Sequence, residues 1–179
     1  MILILEGPPG SGKDTQAEIL RDQRGFVILS PGKVLRERAK SDSQLKSVLD
    51  SGELVNDNIV NQIIESFVID HIHSSIIFDG APRDVSQVHW LTKLFEKLEL
   101  TETVRVIELT VSTTELAARI AQRGRHDDKP ASFQHRLELF ESTIRPAIRL
   151  LAEKYPSAVV DGGGTVEAIA ARINLALEA

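Results

Sequence analysis

The sequence predicts an α/β domain, a parallel β-sheet with helices on both faces. Three observations predict it. Strand and helix patterns alternate from the first residues onward, which favours parallel strands joined by crossover helices. The apolar run Ile2-Leu3-Ile4-Leu5 leads into Gly7-Pro8-Pro9-Gly10-Ser11-Gly12-Lys13-Asp14-Thr15 and then into a helix, the context of a phosphate-binding loop. The length of 179 residues suits one domain with small insertions and a sizeable core.

In chain order, strands are predicted at 2–5, 26–29, 75–79, 104–109 and 157–160. Helices are predicted at 13–23, 33–40, 43–50, 57–72, 85–97, 113–123, 131–154 and 165–178. After the first strand the glycines let the backbone curl so that its N–H groups point inward. The helix N-terminus adds a partial positive charge and Lys13 a full one. Pro9, Gly10, Ser11, Gly12, Lys13, Asp14 and Thr15 are therefore candidates for holding a polyphosphate. A glycine-rich turn without a ligand is the alternative, and the agreement of strand, loop and helix argues against it. The usual loop has Ser or Thr directly after the lysine. Here Asp14 holds that place and Thr15 follows it. Between the second and third strands lie about 45 residues of short helices, too many for a plain crossover. That insertion, 30–60, reads as a small subdomain, and the polar segment 124–130 reads as a short lid.

Composition excludes several functions. Hydrophobic residues make up 42% and charged residues 26%, as in ordinary globular proteins. The net charge of −5 argues against a nucleic-acid or anionic-membrane partner. There is no cysteine, hence no disulfide, thiolate zinc site or cysteine nucleophile. The first apolar run is too short for a signal peptide or a membrane span, so a cytoplasmic protein is expected.

Ligands of open α/β sheets sit beyond the carboxyl ends of the strands. There the sequence places Ser30-Pro31-Gly32-Lys33 with Arg36, then Asp79-Gly80-Ala81-Pro82-Arg83 with Gln87, and finally Asp161-Gly162-Gly163-Gly164. Arg119 and Arg123 share a helix face at i,i+4, and Arg125 and Arg136 follow. A solvated basic face is the other reading of that pair. Phosphoryl transfer between two bound phosphates gathers negative charge, and planar guanidinium groups suit it because each bridges two oxygens. Asp79, at the end of an apolar strand, is either a carboxylate for hydrated magnesium or a cap of the turn at Gly80. The five histidines have no metal-ligand spacing and read as surface residues; Trp90 reads as core.

Together these residues resemble the adenylate kinase family of nucleoside monophosphate kinases, over almost the whole chain. Gly7 to Gln16 is similar to that family's phosphate loop, with its late Thr followed by Gln. Asp79-Gly80-Ala81-Pro82-Arg83 resembles the Asp-Gly-Phe-Pro-Arg signature, with Ala81 for Phe. Gly52-Glu53-Leu54-Val55-Asn56-Asp57 resembles a segment of the monophosphate-binding arm, and Asp127-Asp128 matches the short-lid members. The resemblance implies a P-loop core with a five-stranded parallel sheet, a helical arm at 30–60 and a short lid without zinc. It implies reversible transfer of the γ-phosphoryl of MgATP to a nucleoside monophosphate by a monomer. Lys13, Arg83, Arg119, Arg123, Arg125 and Arg136 would be catalytic. The loop with Arg119, Arg123 and Gly162 would bind ATP. Ser30, Pro31, Arg36, Val55, Gly80, Arg83, Gln87, Arg125 and Arg136 would bind the acceptor, with Gln87 at its base. Asp79 would reach Mg²⁺ through water.

By similarity to the AMP-using branch of that family, Gln87 and Val55 favour AMP over a pyrimidine monophosphate. Ser30-Pro31-Gly32-Lys33 stands where the family has Ser-Thr-Gly-Asp, so Pro31 lacks a hydroxyl near the base. UMP, CMP or a deoxynucleoside monophosphate is the alternative acceptor, and a nucleotide-binding protein without turnover is the alternative class. Asp14 stands for the family's Gly and Lys33 for its Asp. Asp14 then replaces the missing carboxylate near magnesium, pairs with Lys33, or complements the helix dipole.

Overall fold

The computed structural model describes residues 1–51, 53–123 and 130–178, the side chains at 123 and 130 excepted. At its centre lies β1 (Ile2–Glu6), buried at all five positions. A strand apolar from Ile2 to Leu5 has no solvent face, so it must be covered on both sides. It pairs in parallel with β3 (Ile76–Asp79) on one side and β4 (Val104–Thr110) on the other. β2 (Val27–Leu29) extends the sheet beyond β3, and β5 (Ser157–Asp161) extends it beyond β4. The order is β2-β3-β1-β4-β5, parallel throughout.

The alternation of side chains along the strands divides the core in two. Ile2, Ile4, Phe78 and Val106 pack against α4 (Asp57–Asp70), α5 (Val85–Lys97) and α8 (Arg145–Lys154). Leu3, Leu5, Ile77 and Ile107 pack against α1 (Lys13–Arg24) and α9 (Val166–Glu178). Each layer leaves the strand ends free to carry loops. Trp90 is only half-buried, against the first layer.

Between β2 and β3 the chain forms α2 (Pro31–Arg38), α3 (Ser43–Ser51) and α4. α2 begins two residues before its predicted start because Pro31 is suited to the first helical position, where no N–H is needed. The Asn56 side chain caps α4 by accepting the Asn58 N–H at 2.9 Å, and Asp84 caps α5 by accepting that of Gln87 at 2.8 Å. α4 ends at Asp70, and the His71 ring stacks on Phe67, 4.2 Å between centroids.

The helix predicted over 131–154 is interrupted. α7 (Pro130–Leu139) passes into a π-helical turn at Phe140–Ile144 before α8. Pro146 is the reason: it lacks an N–H and crowds the carbonyl four residues earlier, so the preceding turn widens. The turn buries Phe140 and Ile144 with Ile148. α6 (Thr113–Arg123) matches its prediction. The expected lid falls almost wholly on 124–129, outside the described residues.

Candidate active site

The strand order reverses at β1, so the crevice between β3 and β4 is where a ligand fits. A cleft of about 520 Å³ opens there. Its floor is the loop after β1. Gly7, at φ 154°, lies so close to β4 that a Cβ there would come within 2.7 Å of the Leu109 carbonyl oxygen. Only glycine lets the loop cross at that height. The loop ends at α1, whose first residue is Lys13. Lys13 Nζ donates to the carbonyls of Gly7 at 2.6 Å and Pro8 at 3.2 Å. Burial lowers its pKa, against the opposing pull of Glu6, Asp79 and Asp14.

Pro9, Gly10, Gly12, Asp14 and Thr15 line the cleft. Ser11 is fully buried behind the loop and lies outside the lining. Gly162 is also outside the lining, and a Cβ there would meet Val111 Cγ2 at 2.8 Å. Arg119 joins these pieces. Its Nη1 donates to the Ser11 carbonyl at 3.2 Å, and its Nη2 to the Gly162 carbonyl at 2.8 Å and Glu115 Oε1 at 2.6 Å.

The opposite wall carries the expected acceptor residues. Ser30, Pro31, Arg36, Val55, Gly80, Arg83 and Gln87 all line it, and Arg136 reaches the same cleft from α7. A Cβ on Gly32 would lie 3.4 Å from Arg36 Nη1 and 3.8 Å from Arg83 Nη2, so the two guanidinium groups converge there. Arg83 Nε is fixed by the Gly80 carbonyl at 2.9 Å. The Arg123 side chain and all of Arg125 lie outside the described residues.

Asp79 is 5% exposed. Burial raises its pKa, and the nearby Asp14 charge raises it further, against Lys13, Ser30 and Lys33. Two carboxylates that repel each other beside a lysine fit a hydrated Mg²⁺, which takes one or two carboxylates and fills the rest with water and phosphate. Among the described residues no group of three or more metal-ligating side chains could hold an ion directly. Lys33 makes its ion pair one turn along α1 from Asp14, with Glu18 Oε1 at 3.2 Å. Both partners are well exposed, so the pair contributes little.

One residue escaped the sequence reading. Glu6 lines the cleft floor at 2% exposure, and its Oε1 has no hydrogen-bond partner among the described residues. Burial pushes its pKa up to about 8, against the pull of Lys13 and Arg83. The signal was a charged residue closing an apolar strand, as Asp79 closes β3, one residue beyond the Leu5 that pairs with Asp79. Asp57, the last residue of the 52–57 segment, accepts from Gln87 Nε2 at 2.6 Å, a contact the sequence did not foretell. His135 approaches Glu53 Oε1 at 3.1 Å, linking α7 to the insertion.

A phosphate loop with its lysine, facing converging arginines across one cleft on a parallel sheet, defines a P-loop phosphotransferase. Comparison with known proteins narrows the class. The family model described as adenylate kinase matches residues 5–155. An adenylate kinase of Hyphomonas neptunium is 40% identical over 99% of this chain and 98% of its own length. One from Caulobacter vibrioides is 40% identical over 99% and 97%, and one from Stenotrophomonas maltophilia 36% over 99% and 100%. The chain belongs to the adenylate kinase family and is an enzyme of the nucleoside monophosphate kinase class. Among the described residues no helix is long and apolar enough to cross a membrane.

Proposed function

We propose that this enzyme transfers the γ-phosphoryl of MgATP reversibly to AMP, so that ATP and AMP give two ADP. The observation that carries the reading is the convergence of Lys13, Arg36, Arg83, Arg119 and Arg136 on one cleft. The loop N–H groups and Lys13 hold the donor's phosphates, and Arg119 and Arg123 bind the donor with them. Arg36 and Arg83 hold the acceptor phosphate, Gln87 and Val55 meet its base, and Arg125 and Arg136 neutralise the charge between the phosphates. Mg²⁺ bound with ATP supplies further charge neutralisation, its water shell reached by Asp79 and Asp14. The residues supply positioning and electrostatic stabilisation, and no side chain needs to become covalently phosphorylated. Segments 30–60 and 124–130 act as arm and lid of one kinase domain, and their closure excludes water. The working form is a cytoplasmic monomer.

Pro31 lines the cleft with neither the hydroxyl of AMP-using relatives nor the alanine of UMP/CMP kinases, so UMP, CMP or a deoxynucleoside monophosphate is the alternative acceptor. The test gives the enzyme MgATP with AMP, GMP, CMP, UMP or dTMP in separate reactions and follows the products by ion-exchange chromatography. Two ADP per AMP consumed, with AMP preferred, is the expected result. Preference for CMP or UMP would replace AMP. ATP binding without transfer in any reaction would overturn the kinase activity itself.

A further inference from the structure

Gln87 stands in the first turn of α5, 2% exposed, and lines the cleft beside Arg83. Both ends of its amide are fastened. Nε2 donates to Asp57 Oδ1 at 2.6 Å, and Oε1 accepts the Arg83 backbone N–H at 2.9 Å. A side-chain amide can ordinarily turn over and exchange its donor end for its acceptor end. Here a turned amide would set its oxygen against a carboxylate and its NH₂ against an N–H. Both contacts would become repulsive, so the orientation is forced by chemistry.

Asp57 is itself secured. Its Oδ2 lies 2.7 Å from Ser86 Oγ, whose hydroxyl also reaches Asp84 Oδ1 at 2.8 Å. Burial opposes the charge on Asp57, but hydrogen bonds from Gln87 and Ser86 outweigh it and hold the carboxyl below its ordinary pKa. Asp57 lies outside the cleft lining, so it acts on a ligand only through Gln87. A primary amide has two N–H groups and two acceptor lone pairs. One of each is spent, which leaves one N–H and one lone pair at ends that cannot exchange.

We propose that Asp57 is a specificity-positioning residue: by fixing which end of the Gln87 amide donates, it selects an acceptor base that carries an amino group beside an unprotonated ring nitrogen. This rests on Gln87 meeting the acceptor base. Adenine offers an amino donor next to the N1 acceptor. Hypoxanthine, guanine and uracil offer the reverse, a carbonyl next to a ring N–H. An amide free to turn would serve both patterns. A locked amide leaves the oxo base with unpaired polar groups, which is how hydrogen-bonding sites discriminate strongly.

The test compares AMP with IMP, which keeps the ribose and phosphate and replaces the 6-amino pattern with the 6-oxo pattern. The ratio of kcat/KM for AMP to that for IMP is measured in the wild type, Asp57→Asn, Asp57→Ala and Gln87→Leu. Asp57→Asn and Asp57→Ala should each lower the ratio roughly tenfold, because a charge-assisted bond is lost while the Arg83 N–H still biases the amide. The change should come from a lower KM for IMP relative to AMP, with kcat nearly unmoved. General damage to the fold affects both monophosphates alike and leaves the ratio unchanged. If Asp57→Asn does not fold, Asp57→Ala carries the same prediction. A ratio lowered by Gln87→Leu but untouched by either Asp57 variant would overturn the positioning role and keep Gln87 at the base. A ratio untouched by Gln87→Leu would remove Gln87 from the base and overturn the proposal with it.

Discussion

Glu6 closes a strand whose other residues are all apolar, and it lies beneath Lys13 and Arg83 at the floor of the cleft. Its folded pKa is raised to about 8 from an ordinary value of 4.5, chiefly by burial. The native state therefore keeps this proton while the unfolded chain loses it. The stability it lends is fully present below pH 4.5, falls as pH rises, and is gone once pH passes about 8. Glu6→Gln removes the titration and keeps the shape. The melting temperatures of wild type and variant should nearly agree at pH 4.5, and the variant should melt roughly 10–20 °C higher at pH 8.5. Parallel melting curves across that range would show that Glu6 is charged in the native state. At this scale the sequence was partly legible. Lys13, Asp79 and Arg83 sit in motifs whose spacing announces phosphate chemistry. Asp57 also lies in a motif, but its contact with Gln87 was not legible, because Gln87 is 30 residues away and meets it only when α4 packs on α5.

Among the elements, the turn after β5 does more than end a strand. The Gly162 N–H donates to the Thr110 carbonyl at 2.8 Å, and its own carbonyl holds Arg119, which also holds the phosphate loop through Ser11. A Cβ at Gly162 would press on Val111 Cγ2 at 2.8 Å and Thr110 O at 3.3 Å. Gly162→Ala should therefore cost about 1–3 kcal/mol by overpacking, read as a lower midpoint in urea denaturation with an unchanged slope. An unchanged midpoint would show that Val111 yields without cost. The alternation of strands and helices was legible because β1 is apolar on both faces and the helices repeat their apolar positions. The interruption at Phe140–Ile144 was not, because apolar residues continue through it at helical spacing and only Pro146 marks the break. The arm's helices were visible as elements, while the direction of the Lys33 side chain, toward Glu18 rather than along the loop, depends on how α2 meets α1.

Over the whole molecule, a net charge of −5 coexists with a cleft into which Lys13 and at least four arginines project. The parallel sheet makes this possible. It brings the carboxyl ends of β1, β3 and β4 together, so loops distant in sequence deliver their cations to one place. Phosphates of two nucleotides could meet there, flanked by guanidinium groups and the Asp79–Asp14 pair, in an arrangement that suits transfer in either direction. Running the reaction backwards from one compound tests this most directly. Phosphorus NMR would follow the enzyme with Mg²⁺ and pure ADP, with no other nucleotide present. The account predicts ATP and AMP appearing in equal amounts until the three nucleotides reach equilibrium. ADP that persists unchanged, or that decays to AMP and inorganic phosphate without ATP, would contradict it.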